Sequence, residues 1–152
     1  MSQINRSGVA RWVALVALEV NIGIHVALTP MHLEEKFYIG VLFTVGNAAL
    51  FAAMLLLISS RLRTIGWLLG AATSTVEFVG FVVSRTVGLP QGYKETWANA
   101  PEDYLGLVCL AVEVVFAVLA LRSTCTEWTF RVDRAATKAT ATAHSPRLEK
   151  AA

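Results

Sequence analysis

The sequence predicts an all-α fold, a four-helix transmembrane bundle, and three observations predict it. Composition is the first: 55% of the 152 residues are hydrophobic and only 16% are charged. An ordinary soluble domain carries roughly 25% charged residues. Distribution is the second. The charge is missing from four blocks, each near the about 20 apolar residues that a helix needs to cross the hydrocarbon of a bilayer. The third is asymmetry. Ten of the 13 Lys and Arg residues fall in segments that such a bundle places on one side, and Lys and Arg beside a span favour the cytoplasm.

The first span is expected at about 9–28, interrupted only by Arg11, Glu19, Asn21 and His25. Arg6 and Arg11 resemble the positive region of a signal peptide. The apolar run is long, however, it contains Glu19 and Asn21, and no small-x-small site follows between His25 and Pro30, so an uncleaved span is expected. A turn at Pro30 within 29–36 leads to a second span at 37–58, which carries no charge. A tight basic turn, 59–64, holds Arg61 and Arg63. The third span, 65–84, contains only Glu77. A longer connection, 86–103, has Pro90, Gly92 and Pro101 as breakers. The fourth span, 104–121, contains only Glu113. Residues 1–122 thus form one membrane domain. Residues 123–152 form a basic, Ala/Thr/Lys-rich tail without apolar pattern, expected to be largely disordered and to lie along anionic headgroups.

The charge bias places both termini in the cytoplasm. Arg6, Arg11, Arg61, Arg63 and the basic tail lie inside, whereas the outer side holds Lys36, Arg85 and Lys94 among the acids Glu34, Glu35, Glu95, Glu102 and Asp103. Tyr38, Tyr93, Trp97 and Tyr104 would sit at the outer headgroups, and Trp12, Trp67 and Trp128 at the inner ones. Cys109 and Cys125 lie about 24 Å apart along one helix, so neither a disulfide between them nor a zinc site is expected. Nothing in the chain points to nucleic acid.

Helical periodicity assigns faces. On the third span Gly66, Gly70, Thr73, Glu77, Gly80 and Ser84 form a stripe opposite Leu68, Ala72, Val79 and Val82. Small residues let helices approach closely in lipid, so the Glu77 stripe is the packed face. Gly106, Cys109, Glu113, Ala117 and Ala120 share a stripe on the fourth span. Gly40, Thr44, Asn47, Phe51 and Met54 share one on the second, and Trp12, Val16, Glu19, Gly23 and Val26 one on the first. Each span then has a strongly polar group near its centre: Glu19, Asn47, Glu77 and Glu113. In an antiparallel bundle these four point inward at similar depth.

Ionisable groups inside a membrane are costly and usually face protein or water. No Lys or Arg shares this depth; Arg85 follows Glu77 by about 12 Å along the axis. Carboxylates meeting there need protons, a bound cation or water. Three readings follow. Protonated Glu and Asn side chains can hydrogen-bond across helices as a purely structural polar layer. The cluster can instead hold protons, a cation or a small ligand. A Glu can also serve as acid or base in an enzyme acting on a lipid-soluble substrate.

His25 lies about 120° around the helix from Glu19, on the face of Asn21. His32, Glu34 and Glu35, with Glu102 and Asp103, are candidates for an outer-rim metal site, because imidazole and carboxylate suit transition metals. The alternative is a histidine bonded to a neighbouring helix and solvated loop acids. The Glu-x-x-His spacing of di-iron helices is absent. A bis-His haem needs two histidines in spans, and only His25 lies in one. Arg85 reads either as a clamp or counter-ion, for Glu102, Asp103 or Glu34, or as a residue snorkelling to the interface; the acidic outer loops favour the paired role.

The stretch Leu28–Glu35 with Tyr38–Phe43, and the stretch Ser84–Pro90, resemble those of a group of uncharacterised small bacterial four-span membrane proteins. The resemblance covers most of residues 10–121 and implies the same four-helix architecture; the chain is expected to be a multi-pass protein of the bacterial cytoplasmic (inner) membrane. It supplies no activity, cofactor or site. Hydropathy is also similar to that of DoxX-like membrane proteins. The functional expectation is a non-enzymatic membrane protein. Glu19, Glu77 and Glu113 hold charge or protons, Asn47 bonds to them, and His25 and Arg85 line the outer approach. The bilayer is the expected partner, with further copies of the chain or the subunits of a larger membrane complex beside it.

Overall fold

A computed structural model describes residues 3–97 and 103–125, with side chains from residue 8 onward. The chain forms α1 (Gln3–Glu35), α2 (Phe37–Ile58), α3 (Arg63–Thr86) and α4 (Asp103–Cys125). Each is long and apolar enough to cross a membrane. Among the described residues there is no strand, only an isolated bridge between Leu89 and Tyr93. The fold is the expected all-α four-helix membrane bundle. The tail beyond Cys125, with Trp128, lies outside the described residues, as does Glu102.

One boundary differs from expectation. No turn forms at Pro30: α1 runs through it to Glu35, and Lys36 alone links α1 to α2. Proline lacks the amide that an interior helix position needs, but membrane helices accept it where hydroxyls and neighbouring helices bond the freed backbone. The carbonyl that Pro30 leaves without its amide is that of Val26, and one residue earlier the Thr29 hydroxyl donates to the His25 carbonyl at 2.6 Å. Leu33 packs directly against Gly40 across the bend, where no larger residue would fit. His32 therefore belongs to a helix.

The small residues of α3 do what the stripe predicts. A Cβ added at Gly66 would lie 2.8 Å from the Leu57 amide nitrogen and 3.0 Å from the Ala53 carbonyl, so α2 and α3 meet backbone to backbone there. Gly70 receives the Phe116 ring of α4. Around these contacts Ala14, Leu18, Leu50, Leu57, Trp67, Phe116 and Ala120 form an apolar core, with Trp67 and Phe116 ring centroids 5.5 Å apart. All seven lie in the half of the bundle that carries the N-terminus, the basic α2–α3 turn and the end of α4. Trp67 is thus a core residue and not a headgroup anchor.

The stripe assigned to α1 is inverted. Trp12, Val16, Glu19, Gly23 and Val26 are all exposed on the outside of the bundle, while Ala14, Ala17, Leu18, Asn21, His25 and His32 are buried. On α2, Gly40 and Asn47 are buried as expected, but Thr44 and Phe51 are exposed, and the inner line continues through Leu50, Ala53 and Leu57. The two halves of the molecule differ in kind. Apolar side chains fill the basic half, and the acidic half encloses a cavity.

Candidate functional site

The cavity measures about 820 Å³. Its wall takes residues 25–35 of α1, the link at Lys36, 39–49 of α2, 72–85 of α3, 89–96 of the connection that follows and 103–113 of α4, all from the acidic half. Where it meets the apolar core, the helices carry a layer of buried polar groups: Asn21, Asn47, Ser74 and Glu113, with Glu77 half-buried beside them.

Three of these helices supply the floor. One ligand atom each from His25, Glu77 and Glu113 lies within 4.8 Å of the others. The Asn21 amide donates to Glu77 Oε2 at 3.2 Å, so α1 fixes the carboxylate of α3. Helix α2 contributes an absence of bulk: a Cβ at Gly46 would stand 2.6 Å from Glu77 Oε1. Several polar atoms lack protein partners. Glu113 Oε2, Asn21 Oδ1, Asn47 Oδ1 and Ser74 Oγ are all buried without a hydrogen bond. Buried polar groups are normally bonded, so an orphaned carboxylate oxygen in a residue only 4% exposed is an open valence on the cavity wall.

Of the expected site residues, then, Glu77, Glu113 and His25 converge and Glu19 does not. Glu19 projects outward from α1 into the zone that lipid would occupy, and Asn21, on the opposite face, takes the inward place. Asn47 is buried at the same level but does not line the cavity. The signal for Asn21 was present in the sequence, since Asn21, His25 and His32 share one side of a helix. The mid-span carboxylate of Glu19 points instead to the other side.

Arg85 sits at the acidic end, buried and paired. It bonds Glu95, lies 3.4 Å from Asp103 Oδ1 and stacks 3.6 Å from the centre of the Phe81 ring. Both acids also bond hydroxyls: Ser84 donates to Glu95 at 3.2 Å and Thr96 to Asp103 at 3.1 Å. The counter-ion reading of Arg85 holds for Asp103, and Glu95 joins it from the connection after α3. That connection is tight. Gly88 and Gly92 take positive φ of 91° and 74°, a region open to glycine, and Gln91 follows at 61°. The Leu89 amide donates to the Tyr93 carbonyl at 2.7 Å and the Glu95 amide to the Ser84 carbonyl at 3.1 Å. Tyr38 of α2 donates to the Pro90 carbonyl at 2.6 Å.

Tyr93 ties this segment to α1. Its hydroxyl bonds Glu95 and lies 3.0 Å from His32 Nδ1 and 3.4 Å from Glu35 Oε2. Burial first, and then the neighbouring Glu95 and Glu35 carboxylates, hold the Tyr93 phenol well above the ordinary tyrosine range. It is therefore the proton donor to Glu95, and His32 Nδ1 stands within hydrogen-bond distance of the same hydroxyl. Phe43 lies between the two histidines, with ring centroids 4.9 Å from His25 and 4.3 Å from His32. The rim candidates for metal are thus distributed otherwise: His32 and Glu35 bond Tyr93, and Glu34 is exposed. Among the described residues, metal-ligating groups gather at His25, Glu77 and Glu113.

The cavity also has a side. Leu42 and Val45 of α2 and Val76 of α3 line it while being 58%, 61% and 72% exposed. The lining residues of α1 and α4 above the polar layer are mostly covered. Exposed apolar side chains of α2 and α3 thus border the cavity as a slot on that side. No family model, curated protein or solved structure matches the chain. Both cysteines are free: Cys109 is buried on the cavity wall and Cys125 is exposed.

Proposed function

We propose that this chain is a binding protein of the bacterial cytoplasmic membrane, both termini inside, whose cavity takes a cation at Glu77 and Glu113. The single observation that carries the reading is the meeting of two carboxylates and an imidazole at the floor of a cavity, with an orphaned oxygen on Glu113. Two ionised carboxylates in a low-dielectric centre repel strongly and lose hydration, so the pair needs a shared proton or a cation between or beside them. Arg85 does not supply it, because Glu95 and Asp103 already engage its guanidinium. The apolar core beneath supports a blind site over an open pore: Leu18, Leu57, Trp67 and Phe116 block the way to the basic end. Copies of the chain or a larger membrane complex are the proposed surroundings.

The test uses the full chain purified in detergent, with thermal unfolding followed against sodium, calcium, zinc and dodecylammonium. Binding to the native state raises the unfolding temperature as ligand exceeds its dissociation constant. At least one cation is expected to stabilise the wild type, and Glu77→Gln and Glu113→Gln to abolish the shift. If no cation acts, or if the variants respond like wild type, the carboxylates are structural glue and the reading is wrong.

The slot between α2 and α3 favours a second reading, an enzyme acting on a lipid-soluble substrate with Glu77 or Glu113 as acid or base. Its support is the exposure of Leu42, Val45 and Val76 on the wall of the same cavity. Mass spectrometry of organic extracts from purified protein tests it: a copurifying amphiphile displaced in a Val76→Trp variant is expected, and extracts identical to those of empty detergent count against it.

A further inference from the structure

We infer that the cation is a divalent transition-metal ion held by His25, Glu77 and Glu113. This rests on the reading of the same site given above and names the class of ligand.

Four observations carry it. Convergence comes first. A nitrogen and two carboxylate oxygens on one ion, with bonds of about 2.0–2.2 Å, lie at most about 4.2 Å from one another. The three donors here already stand within 4.8 Å without an ion, so small side-chain rotations close the shell.

The orientation of the histidine is second. His25 Nδ1 lies 3.2 Å from the Asn21 carbonyl oxygen. A carbonyl only accepts, so Nδ1 carries the hydrogen and the lone pair of the neutral ring resides on Nε2. A ring fixed in this way by a backbone carbonyl is the usual outer support of a metal-ligating histidine. The same residue, Asn21, steadies Glu77 through its side chain. One turn of α1 thus aligns two of the three donors.

Open valence is third. Glu113, 4% exposed, presents an oxygen with no protein partner, and Asn21, 2% exposed, has an amide oxygen in the same condition. Hydrogen-bond donors are missing where lone pairs are buried, which is what a Lewis acid would satisfy.

Charge and donor type are fourth. Two carboxylates with a neutral imidazole balance one dication; a monovalent ion leaves a net charge buried. Calcium and magnesium take oxygen shells, whereas imidazole with carboxylates suits zinc, iron and manganese. Three protein donors also leave a position open. Structural zinc sites close the shell with four protein ligands, and sites that bind or activate a ligand keep one free. Here the free position faces the cavity, which Glu77, Glu113 and His25 all line.

The experiment uses the full chain purified without chelators, assayed by elemental analysis. X-ray absorption of the bound metal and cobalt titration of chelator-stripped protein follow. About one equivalent of one transition metal per chain is expected, with one nitrogen and two carboxylate donors in the absorption data. Cobalt should give visible bands that His25→Gln and Glu113→Gln weaken at least tenfold, while Glu19→Gln leaves them intact. The X-ray absorption arm needs no variant, so misfolding of a substituted chain does not blur the result. Absence of both stoichiometric metal and cobalt bands overturns the inference, as does full binding in His25→Gln. If metal fails while sodium or dodecylammonium still stabilises the wild type in a Glu77-dependent way, only the metal is wrong. If no cation acts at all, both readings fall.

Discussion

Glu19 and Asn21 stand two residues apart on α1 and so face nearly opposite ways. The structure turns Asn21 into the bundle and Glu19 out of it. The outward position has a measurable consequence. A carboxyl group facing lipid near the centre of a span disfavours insertion by roughly 2.5–3.5 kcal/mol on translocon scales. Glu19→Leu is therefore expected to raise the yield of membrane-inserted protein and leave cation binding at Glu77 unchanged, whereas Glu77→Leu loses binding. Expression in membranes and the unfolding-temperature shift with zinc check both. A loss of binding in Glu19→Leu would return Glu19 to the site. The pair also marks what was legible. Glu77 and Glu113 announced themselves because each is the single charge of its span and lies on a line of small residues. Span one held four polar interruptions on two faces, and charge alone does not tell which face is covered. The small side chains Ala14 and Ala17 beside Asn21, His25 and His32 are the better guide, because helix contacts in lipid select small and hydrogen-bonding residues.

At the scale of helices, two glycines separate packing from function. A methyl group at Gly66 meets backbone atoms of α2, at 2.8 Å from the Leu57 nitrogen, and backbone cannot step aside. Gly66→Ala should cost about 1–3 kcal/mol through overpacking. A methyl at Gly46 meets the tip of the Glu77 side chain at 2.6 Å, which can swing away. Gly46→Ala should leave stability nearly unchanged and weaken the cation at Glu77 by displacing its oxygen. Denaturation in mixed micelles, with and without zinc, distinguishes the two; equal effects on stability would mean that α2 does not press on Glu77. The number of spans and the lengths of α2 and α3 were legible, since hydropathy and length decide them. The end of α1 was not. Proline signals a stop in water, but here Leu33, beyond it, seats closely on Gly40 of α2 and the last turn stays helical. Nor was the clasp by which Tyr93 joins His32, Glu35 and Glu95, because it depends on a loop fold and not on a period. Tyr93→Phe should cost about 1–3 kcal/mol by leaving Glu95 and His32 without the hydroxyl. Because the folded phenol holds its proton to higher pH than a free tyrosine, this contribution is fully present below pH of about 10 and falls as pH rises beyond it. Unfolding midpoints of wild type and variant should stay separated from neutral pH to mildly basic pH and draw together above it.

The whole molecule is divided at the polar layer into a sealed half and a hollow half, and under the proposed reading that division makes a bound cation stop and not pass. Below His25, Glu77 and Glu113 the path to the basic end runs through Leu18, Leu57, Trp67 and Phe116, one from each of the four helices that also supply cavity wall. Phe116 is the most informative of these, because its ring occupies the notch at Gly70 and stacks on Trp67. Truncation to alanine removes that plug and should cost about 3–5 kcal/mol of stability, as large-to-small core changes do. It should also join the cavity to the basic end. Proteoliposomes containing wild type are expected to hold a potassium or proton gradient as tightly as empty vesicles, and those containing Phe116→Ala to leak. Phe116→Leu, which retains most of the volume, should restore the seal and so separates leakage from general unfolding. Passive cation flux through the wild type would show instead that the apolar half opens spontaneously, and the floor at Glu77 and Glu113 would then be a way-station along a path and not its end.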